Sequence, residues 1–184
     1  MVAAGGASAG ASQGGSAGAG AGAAGQAAGG GSSAGAGGGG SGTFALTSSK
    51  LAAGMTFPTA YTCGGTNQSP PFAWTPGPSG TLSYALVLFD TDANYNHWAV
   101  WDMPPSTSML PESFQKTGTI TTPAGAKQTG TGYTGPCPPN NAVHSYVFTI
   151  YALDVATLPG VTTSSSAANV SAAIQMHDLA SASL

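Results

Sequence analysis

Residues 81–90 read TLSYALVLFD, and residues 97–105 follow with HWAVWDMPP. In an extended chain successive side chains point to opposite faces. Leu82, Tyr84, Leu86 and Leu88 then share one face of the first stretch, and Ala85, Val87 and Phe89 share the other. A strand that is apolar on both faces is buried on both sides, so something must cover it front and back. The second stretch alternates aromatic with small residues. It stops at Pro104-Pro105, because proline has no N–H to give to a ladder.

Working outward, residues 143–154 (VHSYVFTIYALD) form a second long strand, too rich in β-branched and aromatic residues for a helix. Phe44 to Thr47 and Pro71 to Trp74 read as short strands. The Thr- and Gly-rich chain from Met109 to Gly135 reads mostly as loop. One helix is expected, with an N-cap within Ser164–Ser166 and a body from Ala167 to about His177. It would place Val170, Ala173, Ile174 and His177 on one stripe. The fold class is therefore mainly β with a single C-terminal helix.

The N-terminal part obeys other rules. Of the first 42 residues, 38 are Gly, Ala or Ser, and none is charged or aromatic. Such a segment cannot bury enough apolar surface to offset the ordering entropy, about 1–2 kcal/mol per residue. Residues 1–42 are expected to be a low-complexity flexible linker spanning roughly 35 Å, and residues 43–184 the folded domain. Chance GxSxG and GxGxxG matches inside the linker lack the strand and helix that give those motifs their mechanics. The segment has no basic and apolar signal-peptide pattern. A Gly/Ala/Ser tether before a neutral domain nevertheless suits a secreted or lipid-anchored protein whose start lies further upstream. The expected location is extracytoplasmic: periplasmic, surface-tethered or secreted.

Charge excludes several functions. Lys50, Lys116 and Lys127 are the only cations besides histidine; there is no Arg, and the net charge is −3. Three scattered lysines cannot displace counterions from a phosphate backbone, so nucleic acid is excluded as a partner, and anionic membrane surfaces with it. No apolar run approaches the ~20 residues of a transmembrane segment. The domain's nine charged residues fall far below the roughly one quarter of an average domain, so its surface must be built from Thr, Ser, Asn, Gln, Gly and Pro. Cys63 and Cys137 lack CxxC spacing, which argues against structural zinc and leaves either one disulfide or two thiols.

The groups able to do chemistry are few. Asp90 and Asp92 end the first long strand, on the same side of the chain and some 6–7 Å apart. His97 and His144 stand near the starts of later strands, where acid and imidazole can converge at one mouth of a sheet. Taken singly, Asp92 reads equally well as a turn cap and each histidine as a structural residue. Asp102, Glu112, Asp154 and Asp178 read as solvated or capping residues. A two-His, two-Asp metal site is chemically conceivable but not favoured, and the folded part offers no nucleophile elbow for a Ser-His-Asp hydrolase. No cofactor and no metal are expected.

Three ordered blocks resemble one family. Asp90-Thr91-Asp92-Ala93 followed by His97-Trp98-Ala99-Val100-Trp101 is similar to its DPDA…HWVV block. Gly132-Tyr133-Thr134-Gly135-Pro136-Cys137-Pro138-Pro139 with His144-Ser145-Tyr146 is similar to its GYxGPxPP…HxY block. Cys63-Gly64-Gly65 through Ser69-Pro70-Pro71-Phe72-Ala73-Trp74 resembles its CxGxxxSPPLxW block. The family is that of the phosphatidylethanolamine-binding proteins, in its bacterial Raf-kinase-inhibitor-like branch, and the resemblance runs from about Thr56 to Leu179.

The resemblance implies a β-sandwich-like core with a small anion pocket at one end. It assigns the pocket to Asp90, His97, Pro139, His144 and Tyr146, supported by Asp92, Pro138 and Tyr133. It also implies a Cys63–Cys137 disulfide, which would close a loop of about 75 residues and stabilise by about 4 kcal/mol. The departures are specific. Thr91 and Asn94 stand where the family has prolines, which should loosen that loop. Ser145 and Thr134 stand where it has arginines, which should weaken anion binding. A further family segment after residue 184 would leave one pocket wall missing here. The expected function is a non-enzymatic binding module for a small phosphate- or carboxylate-bearing ligand resembling a phospholipid headgroup. The alternatives are regulation of a protease or kinase partner and a hydrolase using His97 or His144.

Overall fold

The computed structural model describes residues 42–114 and 120–184; apart from Gly42, the expected linker lies outside these, as does Lys116. The strands are β1 (Leu46–Thr47), β2 (Phe72–Trp74), β3 (Ser83–Asp90), β4 (Tyr95–Met103), β5 (Met109–Leu110), β6 (Lys127–Gln128), β7 (Tyr146–Leu153) and β8 (Asp178–Ser183), with helix α1 (Ala167–Gln175) before β8. They form two antiparallel sheets, ordered β1-β2-β5 and β6-β4-β3-β7-β8.

β3 is covered on both faces, as its sequence requires. Tyr84, Leu86 and Leu88 join Trp98, Val100, Phe148 and Ile150 in the core between the sheets, where Phe72 and Trp74 of the small sheet meet them. Phe72 and Phe148 lie 4.4 Å apart between ring centroids, and the Trp74 ring meets Tyr84 edge-on at 5.7 Å. Ala85 and Val87 pack on the other face with Ala99, Trp101 and the α1 stripe Val170, Ala173 and Ile174. The architecture is a two-sheet sandwich with one helix on the outer face of the larger sheet. Leu82, read as part of that buried face, lies before the strand and is half exposed.

α1 is capped by Ser166, whose hydroxyl accepts the Asn169 N–H at 3.2 Å, and it ends at Gln175, two residues before the expected end. β8 has no counterpart in the sequence reading. Its residues, DLASAS, are small, polar and largely exposed, and its order comes from pairing with β7. The expected loop between Met109 and Gly135 contains the two-residue strands β5 and β6, each placed by the partner strand it meets.

Candidate functional site

The β3–β4 turn is built by its own side chains. Asp90 ends β3 and pairs with Tyr95 at the start of β4. Its Oδ1 accepts the backbone N–H groups of Asp92 at 3.0 Å and Ala93 at 2.9 Å. Asn94 closes the turn with φ of 51°, a left-handed conformation that asparagine tolerates and that proline, held near −65°, cannot adopt. Across the turn, Asp92 Oδ2 accepts the Ser145 N–H at 2.6 Å, and the Ser145 carbonyl accepts the Thr91 N–H at 3.0 Å and the Thr91 hydroxyl at 3.2 Å. These contacts act against the loosening expected from the absence of the two prolines. Carboxylates and a hydroxyl supply the restraint that the proline rings would have given.

This turn carries Asp90 to a cluster that the chain assembles from distant segments. His144 Nδ1 lies 2.7 Å from Asp90 Oδ2, and His97 Nε2 approaches the same oxygen to 3.8 Å, too long for a hydrogen bond. The Tyr146 ring lies edge-on to His97 at 5.5 Å and stacks near His144 at 6.3 Å, while Tyr95 covers His97 at 4.9 Å. Asp90 is 2% exposed and Tyr146 1%. The side chains of His97 and His144 are 10% and 17% exposed. Two buried polar atoms, His97 Nδ1 and Tyr146 Oη, have no well-formed hydrogen bond. Beside the cluster, Tyr95 and His97 border a cleft of about 320 Å³ with Thr129, Thr131, Ser165 and Ala167.

Burial and bonding act on these groups in opposite senses. Burial alone would raise the Asp90 carboxyl, but the hydrogen bonds from His144 and the Ala93 N–H outweigh it and hold the group below its ordinary value. His97 is pulled down by burial, and the nearby Asp90 charge and Thr134 carbonyl offset this only in part. Burial, reinforced by the Asp90 charge, pushes the Tyr146 phenol well above its usual range.

The remaining expected residues take different places. Tyr133 is buried, with its hydroxyl donating to the Tyr61 carbonyl at 2.8 Å and its ring edge-on to Trp98 at 5.3 Å. It acts from the core by anchoring the 132–139 segment, and its hydroxyl is already committed. Pro138 faces a neighbouring cleft with Thr62, Cys63 and Val143, and Pro139 is exposed at the start of a single 3₁₀ turn. Cys63 and Cys137 form the expected disulfide, with Cα atoms 5.4 Å apart. It fastens the two blocks together alongside the Cys63 N–H to Pro136 carbonyl bond and the Gly135 N–H to Asn67 side-chain bond. Gly135 is obligatory there, because a Cβ would sit 2.1 Å from the Tyr61 carbonyl oxygen.

Asp102 corrects the sequence reading. It is 7% exposed; its Oδ1 accepts the Leu158 N–H at 2.8 Å and its Oδ2 pairs with Lys127 Nζ at 2.8 Å. A carboxylate buried this far must be paired and hydrogen-bonded, and its partner was invisible because Lys127 lies 25 residues away on β6. Asp154 also has a partner, His177 Nδ1 at 2.9 Å, and Glu112 accepts from Tyr61 and Gln68. Sequence reasoning missed Tyr95 over His97 and the Ser145 backbone that receives the Asp90 turn. The only signal for Ser145 was its place beside His144.

A sandwich whose strand ends gather one carboxylate, two imidazoles and a phenol defines a binding fold of recognisable type. The sequence profile described as phosphatidylethanolamine-binding protein matches residues 47–184, and the chain belongs to that family. UPF0098 protein YbhB of Escherichia coli is 38% identical over 129 residues, covering 65% of this chain and 80% of that protein. A Mycobacterium tuberculosis protein named as lipoprotein LppC is 36% identical over 116 residues, covering 60% of this chain and 56% of the relative. The crystal structure of E. coli YbcL superposes with a TM-score of 0.70 at 31% identity, covering 77% of this chain and 94% of that one. The homolog CT736 of Chlamydia trachomatis gives a TM-score of 0.60, also at 31% identity and with coverages of 77% and 94%. Membership supports a function of the binding type. Among the described residues no helix is long and apolar enough to cross a membrane.

Proposed function

We propose that the protein is a non-enzymatic binding module that holds a small phosphate- or carboxylate-bearing ligand, headgroup-like in size, at Asp90, His97, His144 and Tyr146. The observation that carries this is a pair of buried polar atoms, His97 Nδ1 near the Thr134 carbonyl and Tyr146 Oη near Asp90, that lack a well-formed hydrogen bond beside an already bonded Asp90–His144 pair. Buried polar groups are nearly always satisfied, and a ligand oxygen would satisfy these. Both oxygens of Asp90 are committed to backbone and imidazole, which suits a fixed receptor better than a carboxylate that must exchange protons.

With serine and threonine in place of the family's arginines, the positive charge needed by an anion has to come from the imidazoles themselves. Anion binding here takes up a proton. The disulfide and the lipoprotein-named relative support an extracytoplasmic setting, where such a bond persists.

The test is a titration of the full chain with phosphoethanolamine, inorganic phosphate and acetate, followed on the histidine ring NMR signals of wild type and His97→Ala. Saturable shifts of the His97 and His144 rings are expected in the wild type, and loss of the His144 response in the variant. Equal affinity in both proteins refutes the site, and turnover of an ester panel abolished by His97→Ala would favour the hydrolase alternative. The partner-docking alternative draws on one feature, the exposure of Tyr95 at 58% and Val143 at 64% beside the two histidines. It predicts that Val143→Asp removes inhibition of a protease or kinase while leaving phosphate binding intact.

A further inference from the structure

The outer face of the larger sheet carries a cleft of about 420 Å³, separate from the Asp90 cluster and within the usual range for small-molecule sites. Val87, Phe89 and Val147 form its floor. One wall is a flank of α1: Ala168, Ser171, Ala172 and Gln175 follow the i, i+3, i+4, i+7 spacing of one helix face and run about 10 Å along the groove. This flank is distinct from the Val170, Ala173 and Ile174 stripe that packs into the core. Asn94 and Asn96 from the β3–β4 hairpin, with Ser171 and Gln175 from α1, supply the polar groups, whereas the Thr149 hydroxyl is already paired with Ser183 at 2.8 Å.

The chemistry of this lining selects among ligands. It contains no Asp, Glu, Lys, Arg or His, so a charged ligand would lose hydration without gaining an opposite charge. A peptide joining the sheet is also disfavoured. β3 lies between β4 and β7, and β7 between β3 and β8, so the strands under the groove have neighbours on both sides. What the groove does offer is side-chain amides and hydroxyls, groups that both donate and accept, above an apolar floor with two half-buried aromatic rings, Phe89 and Tyr151. Among the described residues the side chains of Asn94, Asn96, Ser171 and Gln175 make no hydrogen bond, so they are available to a ligand. Hydroxyl groups that donate and accept in turn, on a ring with an apolar face, match this arrangement.

We infer that this groove binds a neutral carbohydrate, a short oligosaccharide lying along α1 with one ring face against Tyr151 or Phe89 and its hydroxyls paired with Asn94, Asn96 and Gln175. The groove lies apart from Asp90, His144 and Tyr146 but shares the β3–β4 hairpin with the anion cluster, since Asn96 also lines the cleft beside His97.

The test is a titration of the ¹⁵N-labelled full chain with maltotriose, cellotriose and N,N′,N″-triacetylchitotriose. At least one should give saturable shifts in the Asn94, Asn96 and Gln175 side-chain amides and the residue 168–175 backbone, with the His97 and His144 rings unmoved. Ala172 is exposed, so Ala172→Arg should fold normally, fill the groove and abolish the shifts, while the phosphate response of the histidines persists. Gln175→Ala, which removes one hydrogen-bonding amide at an exposed position that lines this groove and not the cleft beside His97, should weaken binding about five- to tenfold and carries the test should the arginine variant misfold. No saturable shift with any of the three sugars overturns the proposal, as does a titration that neither variant changes.

Discussion

Replacing Asp90 separates the two roles of its carboxylate. In Asp90→Ala three acceptor contacts vanish: the Asp92 and Ala93 N–H bonds to Oδ1 and the His144 bond to Oδ2. The two amides sit in an exposed turn and regain water, so each costs about 1 kcal/mol, near the middle of the range for a net hydrogen bond. The imidazole bond, charge-assisted and largely buried, adds about 1.5–2 kcal/mol. The expected loss is about 3.5–4 kcal/mol, which lowers the melting temperature by roughly 10–15 °C in a domain of this size. Asp90→Asn keeps an acceptor for the two amides and loses the charge that faces His144, His97 and Tyr146. Its cost should be about 1–2 kcal/mol, or roughly 4–6 °C.

The pH dependence has a definite sign. The folded carboxyl titrates below its ordinary value of 3.8, so its stabilisation is fully present above that pH and is lost as pH falls through the folded value. The gap between wild type and Asp90→Asn should therefore close in strongly acidic buffer, where both side chains are neutral. Melting curves read by circular dichroism across that range give the answer. Equal destabilisation by Asn and Ala, or a gap to Asn that stays constant into acid, would refute the division of labour between Oδ1 and Oδ2.

Other outcomes follow from the same contacts. Tyr146→Phe removes a buried hydroxyl whose contacts to Asp90 and the Cys137 backbone fall short of a well-formed hydrogen bond, so stability should change by less than about 1 kcal/mol in chemical denaturation, while phosphate affinity measured by calorimetry drops about tenfold. His97 is held below its ordinary value of 6.5 and is neutral at pH 7. Sulfate, whose own charge does not change in this range, should therefore bind more tightly as pH falls through the His97 value, by up to about tenfold per pH unit for one proton taken up; a flat profile would show that no proton accompanies the anion. Replacing both cysteines with serine frees a loop closed over a separation of 74 residues and should cost about 4 kcal/mol on the chain-entropy model, as would reduction of the native protein followed by denaturation.

Much of the core could be read from periodicity. β3, β4, β7 and α1 are set by local patterns, such as the two apolar faces of TLSYALVLFD or the hydroxyl preceding an alanine-rich helix, and these survive because local preference and burial agree. β5, β6 and β8 carry no such pattern. DLASAS is a strand only because β7 offers an edge to it, and two residues at Lys127–Gln128 are a strand only because β4 lies alongside. In these elements pairing supplies the free energy that propensity lacks.

The candidate site divides in the same way. The residue types and their order singled out Asp90, Asp92, His97 and His144, since acids and imidazoles at strand ends are few in so weakly charged a chain, while Tyr146 was named only by the family resemblance. Which of them meet was a matter of three dimensions. The Asp90–His144 bond, the tie from Asp92 to Ser145 and the anchoring of Tyr133 on Tyr61 all join residues more than 50 positions apart. Side-chain chemistry is a local property written residue by residue, whereas contact across the sandwich depends on the packing of the whole chain. By itself the sequence determined which elements must be buried and which groups could react; only the tertiary structure decided which groups are bonded, which buried atoms lack a well-formed bond, and that an uncharged groove lies on the outer face of the larger sheet.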